Sequence, residues 1–288
     1  MKVQDVKQII ESIDALPPLP ETAIKLIEVI NDPSSSVDQI IDTIKYDQAV
    51  TSELLRYCNS AYVRLCVEVN SLADAVMELG VVKVMQLVLS LQATSLLANS
   101  EKSEKTYGKE AVELWKTSVS VALTASALAD RVHLANPNTA FTAGLLHEVG
   151  KIVMIGNLGY AFDEVHKVMD QKKVGWVDAE WEVFGFSHVE VGTRVSKSWN
   201  LPNEIAHCIQ YHRDPIALEP SEPLVDVVYL ARLVAKNPDH DDSKMVKDYD
   251  VSQDVMERIG LRQDDLHAAR KDMQKEFNQI FNLFHHVL

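Results

Sequence analysis

Apolar residues recur at three- and four-residue intervals along nearly the whole chain, whereas period-two alternation bounded by turn residues is scarce. The pattern predicts an all-α protein. Pro17, Pro18 and Pro20 break the chain after a first helix, and Pro20 suits a helix start, where its missing N–H costs nothing. The next helix carries Ala23, Leu26, Ile27 and Ile30 on one face and stops at Asn31-Asp32-Pro33. Ser36 and Asp47 are placed to cap a third and a fourth helix, running through Ile40, Ile41 and Ile44 and through Val50, Leu54 and Leu55. Ser71 caps a fifth, which Gly80 ends. A long apolar helix over 81–97 closes this first half.

The polar run over 99–105 is the best linker candidate, and Asn237-Pro238-Asp239 opens a second break. Three stretches follow: an N-terminal helical half over 1–100, a second helical half over 101–236, and a C-terminal helical extension over 237–288. The extension carries Leu266, Met273, Phe277, Ile280, Phe281 and Phe284 at helical spacing. That stripe must pack on something, either back onto the body or onto a second copy in a homodimer.

Composition narrows the partners. With 47% hydrophobic residues among 288, the chain can bury a real core. Its net charge of −14 is spread over all three stretches, so a phosphate backbone or an anionic membrane is repelled over most of the surface. Direct nucleic-acid binding and membrane binding are therefore not expected. Cys58, Cys66 and Cys208 lack finger spacing and read as reduced thiols of a cytoplasmic protein. Neither a signal peptide nor a membrane span is expected, since Lys83 interrupts the longest apolar region.

The chemistry-bearing residues cluster in the second half. They are His147-Glu148-Val149-Gly150-Lys151, His188-Val189-Glu190-Val191-Gly192 and Tyr211-His212-Arg213-Asp214-Pro215. The first half adds Leu16-Pro17-Pro18-Leu19-Pro20, Asp47-Gln48-Ala49-Val50-Thr51, a helix ending in Asn59-Ser60-Ala61, and the run from Ser71 to Gly80. In this order the motifs resemble the HDOD family, a degenerate branch of the HD and HD-GYP metal-dependent phosphohydrolases. The resemblance implies a helical N-terminal subdomain packed on an HD-type bundle. It also implies a role in bacterial signal output, through protein partners rather than through catalysis.

In the HD pattern an early His, a His-Asp pair and a late Asp hold a divalent metal. Mapped onto this chain, those positions are Thr117, His147 with Glu148, and Arg232. His188 resembles an additional ligand of dinuclear relatives, and His212-Arg213 a His-His element with arginine at its second place. The vestigial metal candidates are thus His147, Glu148, His188 and His212, with Thr117, Arg213 and Arg232 as pocket residues. A guanidinium has no lone pair to give a metal. No catalytic residue and no cofactor are expected on this reading.

Two alternatives stay open. One is a metal-dependent phosphohydrolase of a nucleotide or phosphate ester, with Mn, Fe or Zn held by the same cluster and Lys151 on phosphate. The other is a small-molecule or anion sensor using the former metal cavity. A sharper expectation places Arg232 beside Glu148, its fixed positive charge standing where the metal would be. Locally, Glu148 and Lys151 are spaced for an ion pair, Ser187 for capping a helix that begins at His188, and Arg56 and Asn59 for an interhelical polar clamp.

Overall fold

Side-chain caps define several helix starts. In the computed structural model, which describes residues 21–32, 34–60, 63, 69–98, 108–133, 135–158, 162–235 and 251–284, helix α1 (Glu21–Asn31) is followed by α2 (Val37–Ile44). Ser36 Oγ accepts the Gln39 N–H while the Gln39 side chain accepts the Ser36 N–H, a reciprocal cap. Asp47 caps α3 (Gln48–Cys58) through the Val50 N–H, and Ser71 caps α4 (Leu72–Leu79) through the Asp74 N–H. Gly80 ends α4 at a φ of 81°, a conformation that an L side chain adopts only with strain. Asn59 clamps the chain beyond α3, exchanging two hydrogen bonds with the Val69 backbone at 2.7 and 2.8 Å.

Helix α5 (Val81–Ala98) completes the first half. The second half comprises α6 (Gly108–Val132), α7 (Pro137–Leu146), α8 (Val149–Leu158), α9 (Phe162–Lys172), α10 (Trp176–Phe184), α11 (His188–Ser198), α12 (Asn203–Tyr211) and α13 (Pro223–Val234). The extension supplies α14 (Gln253–Ile259) and α15 (Gln263–Phe284). No strand occurs among the described residues, so the protein is all-α. The first helix, the linker over 99–105, the break after 236 and Cys66 lie outside the described residues.

The core is organised around α6 and α7. Helix α6 packs against α7, α13 and α15, while α7 also meets α1, α5, α12 and α13. Every residue from Thr139 to Leu146 is buried, so α7 is covered on all sides rather than amphipathic. Gly144 lets α7 lie directly on α6: a Cβ there would stand 2.8 Å from the Ala122 Cα. The C-terminal stripe packs back onto the body. Leu266, Met273 and Phe277 are buried, Arg131 pairs with Asp272 at 2.6 Å, and Lys83 pairs with Glu276 at 2.5 Å. Arg270 Nη1 caps the Val234 carbonyl at 2.8 Å, and Arg258 makes a two-pronged pair with Asp226.

A second glycine contact sets the site. The start of α8 runs backbone against backbone into the first turn of α11: a Cβ on Gly150 would overlap the His188 carbonyl and stand 2.6 Å from the Gly192 nitrogen. Gly192 in turn makes room for Ile209 of α12. Because rigid backbone meets rigid backbone, there is no side chain to swing aside. Gly150→Ala should therefore cost roughly 3 kcal/mol of stability by overpacking, read as a fall in the urea midpoint. An unchanged midpoint would mean that α8 can slide off α11 freely.

Candidate functional site

The crossing of α8 and α11 gathers side chains from three stretches of the sequence. His147 caps the end of α7, Glu148 follows it, and Lys151 lies in the first turn of α8. His188 opens α11, held there by Ser187, whose hydroxyl accepts the Glu190 N–H while Glu190 accepts the Ser187 N–H. His212 caps the end of α12, and Arg213 follows in the turn. His147, Glu148, His188 and His212 are all at most 5% exposed.

Each imidazole is anchored through Nδ1. That atom lies 2.7 Å from the Gly144 carbonyl in His147 and 2.9 Å from the Ile209 carbonyl in His212. In His188 it lies 2.6 Å from Glu180 Oε2. Carbonyl and carboxylate oxygens only accept, so Nδ1 carries the proton in each ring and Nε2 presents a lone pair. Arg213 agrees with this assignment, because its Nε–H donates to His188 Nε2 at 3.2 Å. The Nε2 atoms of His147 and His212 are buried without a hydrogen-bond partner. The rings of these two histidines meet edge to face at 5.1 Å.

Glu180 is a functional neighbour that the motifs did not reveal. Fully buried, it accepts the Trp176 Nε1–H at 2.7 Å and the His188 backbone N–H at 3.0 Å besides orienting the His188 ring. Its only sequence signal is a carboxylate on the inward side of α10. The contacts then close into a circuit. Arg213 Nη2 donates to Glu148 Oε1 at 3.0 Å, Lys151 Nζ donates to the same oxygen at 2.7 Å, and Lys151 lies 4.9 Å over the Trp176 ring.

Charge follows this geometry. Burial disfavours the Glu148 carboxylate, but Lys151 first, then His147, His188 and Arg213, outweigh it, holding the group well below the ordinary carboxylate range. Burial pushes His147 down to about 4 and depresses His188 and His212 as well, so all three are neutral at physiological pH. Arg232 is lowered to about 10, by burial first and Arg213 second, and stays cationic.

The expectation for Arg232 is corrected here. The guanidinium hydrogen-bonded to Glu148 belongs to Arg213, whereas Arg232 Nε donates to the His212 carbonyl at 3.4 Å. Arg232 acts on Glu148 and His147 only through space. The reason is reach. Arg213 sits in the turn directly beyond a cluster histidine, while Arg232 lies in the last turn of α13 and meets the backbone of His212 first. Thr117 is half-buried and its hydroxyl donates to the Glu113 carbonyl at 2.9 Å within its own helix. Ser118 shares the helix face of Val121 and Ala122, against which Gly144 lies, and its buried hydroxyl has no partner. His207 stands apart, paired with Glu222 at 2.8 Å.

Does a divalent metal fit? One ligand atom from each of Glu148, His188 and His212 lies within 4.8 Å of the others, and anchored imidazoles with outward lone pairs are what such an ion needs. Arg213 stands against it, since its guanidinium already binds two of those three donors. With the guanidinium drawn aside, the group could hold a metal.

The sequence profile of the HDOD domain family matches residues 16–215. The chain belongs to the HDOD family. An HDOD structure of unknown function from Geobacter sulfurreducens is 26% identical, with a TM-score of 0.77 over 96% of this chain and 97% of that one. A Marinobacter aquaeolei VT8 structure provisionally named a signal transduction protein is 21% identical, with a TM-score of 0.77 over 97% of this chain and 63% of its own. A Shewanella amazonensis SB2B structure provisionally named a phosphohydrolase is 22% identical, with a TM-score of 0.69 over 97% and 98% of the two chains. The latter two likenesses concern the fold. An uncharacterized protein of Treponema pallidum (strain Nichols) is 23% identical over 229 residues, which are 79% of this chain and 44% of that protein's length. This HDOD chain thus spans less than half of that relative.

The buried histidines make stability depend on pH with a defined sign. Above 6.5, the ordinary histidine value, they are neutral folded and unfolded alike. As pH falls from there toward about 4, the unfolded chain binds protons that the folded His147 refuses. Stability should decline with acid over that window, by up to about 1.4 kcal/mol per pH unit for each such histidine. Glu148 adds its own loss only below 4.5. Urea midpoints measured between pH 7 and pH 4.5 test this, and equal midpoints would contradict it.

Proposed function

We propose that this HDOD protein is a non-catalytic regulatory or scaffolding module of bacterial signalling, acting through protein partners. The observation that carries this reading is the Arg213 guanidinium, which engages Glu148 and His188 where a hydrolytic site would need an open coordination position. Without such a position there is nowhere for a water to be activated. The net charge of −14 favours protein surfaces over nucleic acid as partners. Among the described residues no helix is long and apolar enough to cross a membrane. Cys58 and Cys208 are buried free thiols, which supports a cytoplasmic location.

The second reading is a metal-dependent phosphohydrolase using His147, Glu148, His188 and His212. The convergence of Glu148, His188 and His212 favours it. Elemental analysis of the purified full chain, with hydrolysis of a phosphodiester library in the presence of Mn²⁺, Fe²⁺ or Zn²⁺, separates the two. The regulatory reading expects metal well below one per chain and no turnover above the blank. One metal per chain with hydrolysis abolished by His147→Ala would replace it with the enzymatic one. Pull-down from the native host then identifies the partner class.

A further inference from the structure

We infer that Arg213 is a resident cation locking a latent transition-metal site, one that Glu148, His188 and His212 form for Zn²⁺ or Co²⁺ once the guanidinium is withdrawn. The inference rests on the regulatory reading and explains how the module is kept metal-free.

The first argument is a surplus of lone pairs. Of three neighbouring buried imidazoles, those of His188 and His212 converge with the Glu148 carboxylate, yet only His188 Nε2 receives a donor, from Arg213. His147 Nε2 and His212 Nε2 are buried acceptors with no partner. A polar core that evolved only for packing would have its acceptors paired. This one is built for a ligand that accepts electron pairs.

The second argument is preparation. All three rings are fixed from behind by Gly144, Ile209 and Glu180, the kind of outer partner that sets the tautomer and orientation of metal-binding imidazoles. Both cations on Glu148 bind Oε1, so its second oxygen remains for an ion even while Lys151 holds the first. Two nitrogen donors and one carboxylate suit a borderline ion such as Zn²⁺ or Co²⁺ and not Ca²⁺ or Mg²⁺, which want more oxygen ligands.

The third argument is how the plug is mounted. The Arg213 side chain is 27% exposed, against 6% for Glu148, and it enters from a turn rather than from a core-facing helix position. Its removal leaves the helices and their apolar contacts in place. Arginine contributes no lone pair, so it competes with a metal purely by occupying the donors and by its positive charge.

The test uses the full chain stripped with a chelator, as wild type, Arg213→Met, Arg213→Ala and Arg213→Met with His188→Ala. Metal retained after gel filtration is counted for Zn²⁺ and Co²⁺, and the visible absorption of the Co²⁺ forms is recorded. The lock expects almost no retained metal in wild type, about one ion per chain in either single variant with the visible bands of a low-coordinate Co²⁺ site, and loss of both in the double variant. A single variant with native helicity by circular dichroism that retains no metal overturns this inference and leaves the regulatory reading standing. One ion per chain in wild type overturns both. Should the variants fail to fold, ¹⁵N NMR of the wild type decides: an Arg213 Nε–H protected from exchange and bonded to His188 Nε2 supports the lock, and a freely exchanging one sinks it.

Discussion

The close approach of α8 and α11 is the constraint on which the rest of the site depends. Gly150 and Gly192 carry no Cβ, and only that lets the beginnings of two helices meet backbone to backbone. The meeting brings Glu148, two residues before Gly150, within reach of His188, four residues before Gly192. Helix α12 is drawn into the same junction by Ile209, and His212 and Arg213 arrive with it. Packing between glycines thus decides which charges must coexist.

Those charges are buried, and burial of an unpaired carboxylate would be severely destabilising. Glu148 has two cations on one oxygen, and each is itself tied back: Lys151 onto the Trp176 ring, Arg213 onto His188, and both lines end on Glu180. Glu180 itself is satisfied by the N–H groups of Trp176 and His188. The histidines contribute by staying neutral, because a protonated ring beside Arg213 and Arg232 would add a third like charge in a space of low polarisability.

Local features were readable from sequence to the residue. Ser36, Asp47, Ser71 and Ser187 cap where short polar side chains precede apolar periodicity, because capping depends only on the next three residues. The Glu148–Lys151 pair was legible for the same reason, whereas of the Arg56 and Asn59 clamp only Asn59 holds, on Val69 ten residues further on, and Arg56 pairs with Glu53 of its own helix. The arginine partner of Glu148 was not legible. Arg213 and Arg232 are both fixed positive charges near motif positions, and choosing between them requires knowing that the turn after α12 points inward while α13 offers its arginine to a carbonyl. Glu180 was invisible because a carboxylate in a strongly acidic chain carries no mark of burial, and its link to His188 comes from the turn between α10 and α11.

The stretch matched by the family profile and the thermodynamic unit of this protein have different edges. The family profile matches only as far as residue 215, and α15 beyond it clasps α6 through Asp272, α5 through Glu276 and the end of α13 through Arg270. Helix α15 therefore spans the border between the two halves from outside both. A force or a binding event that lifted it would uncover Met273 and Phe277 and loosen both halves together, so the segment beyond the profile match is one through which they share their stability.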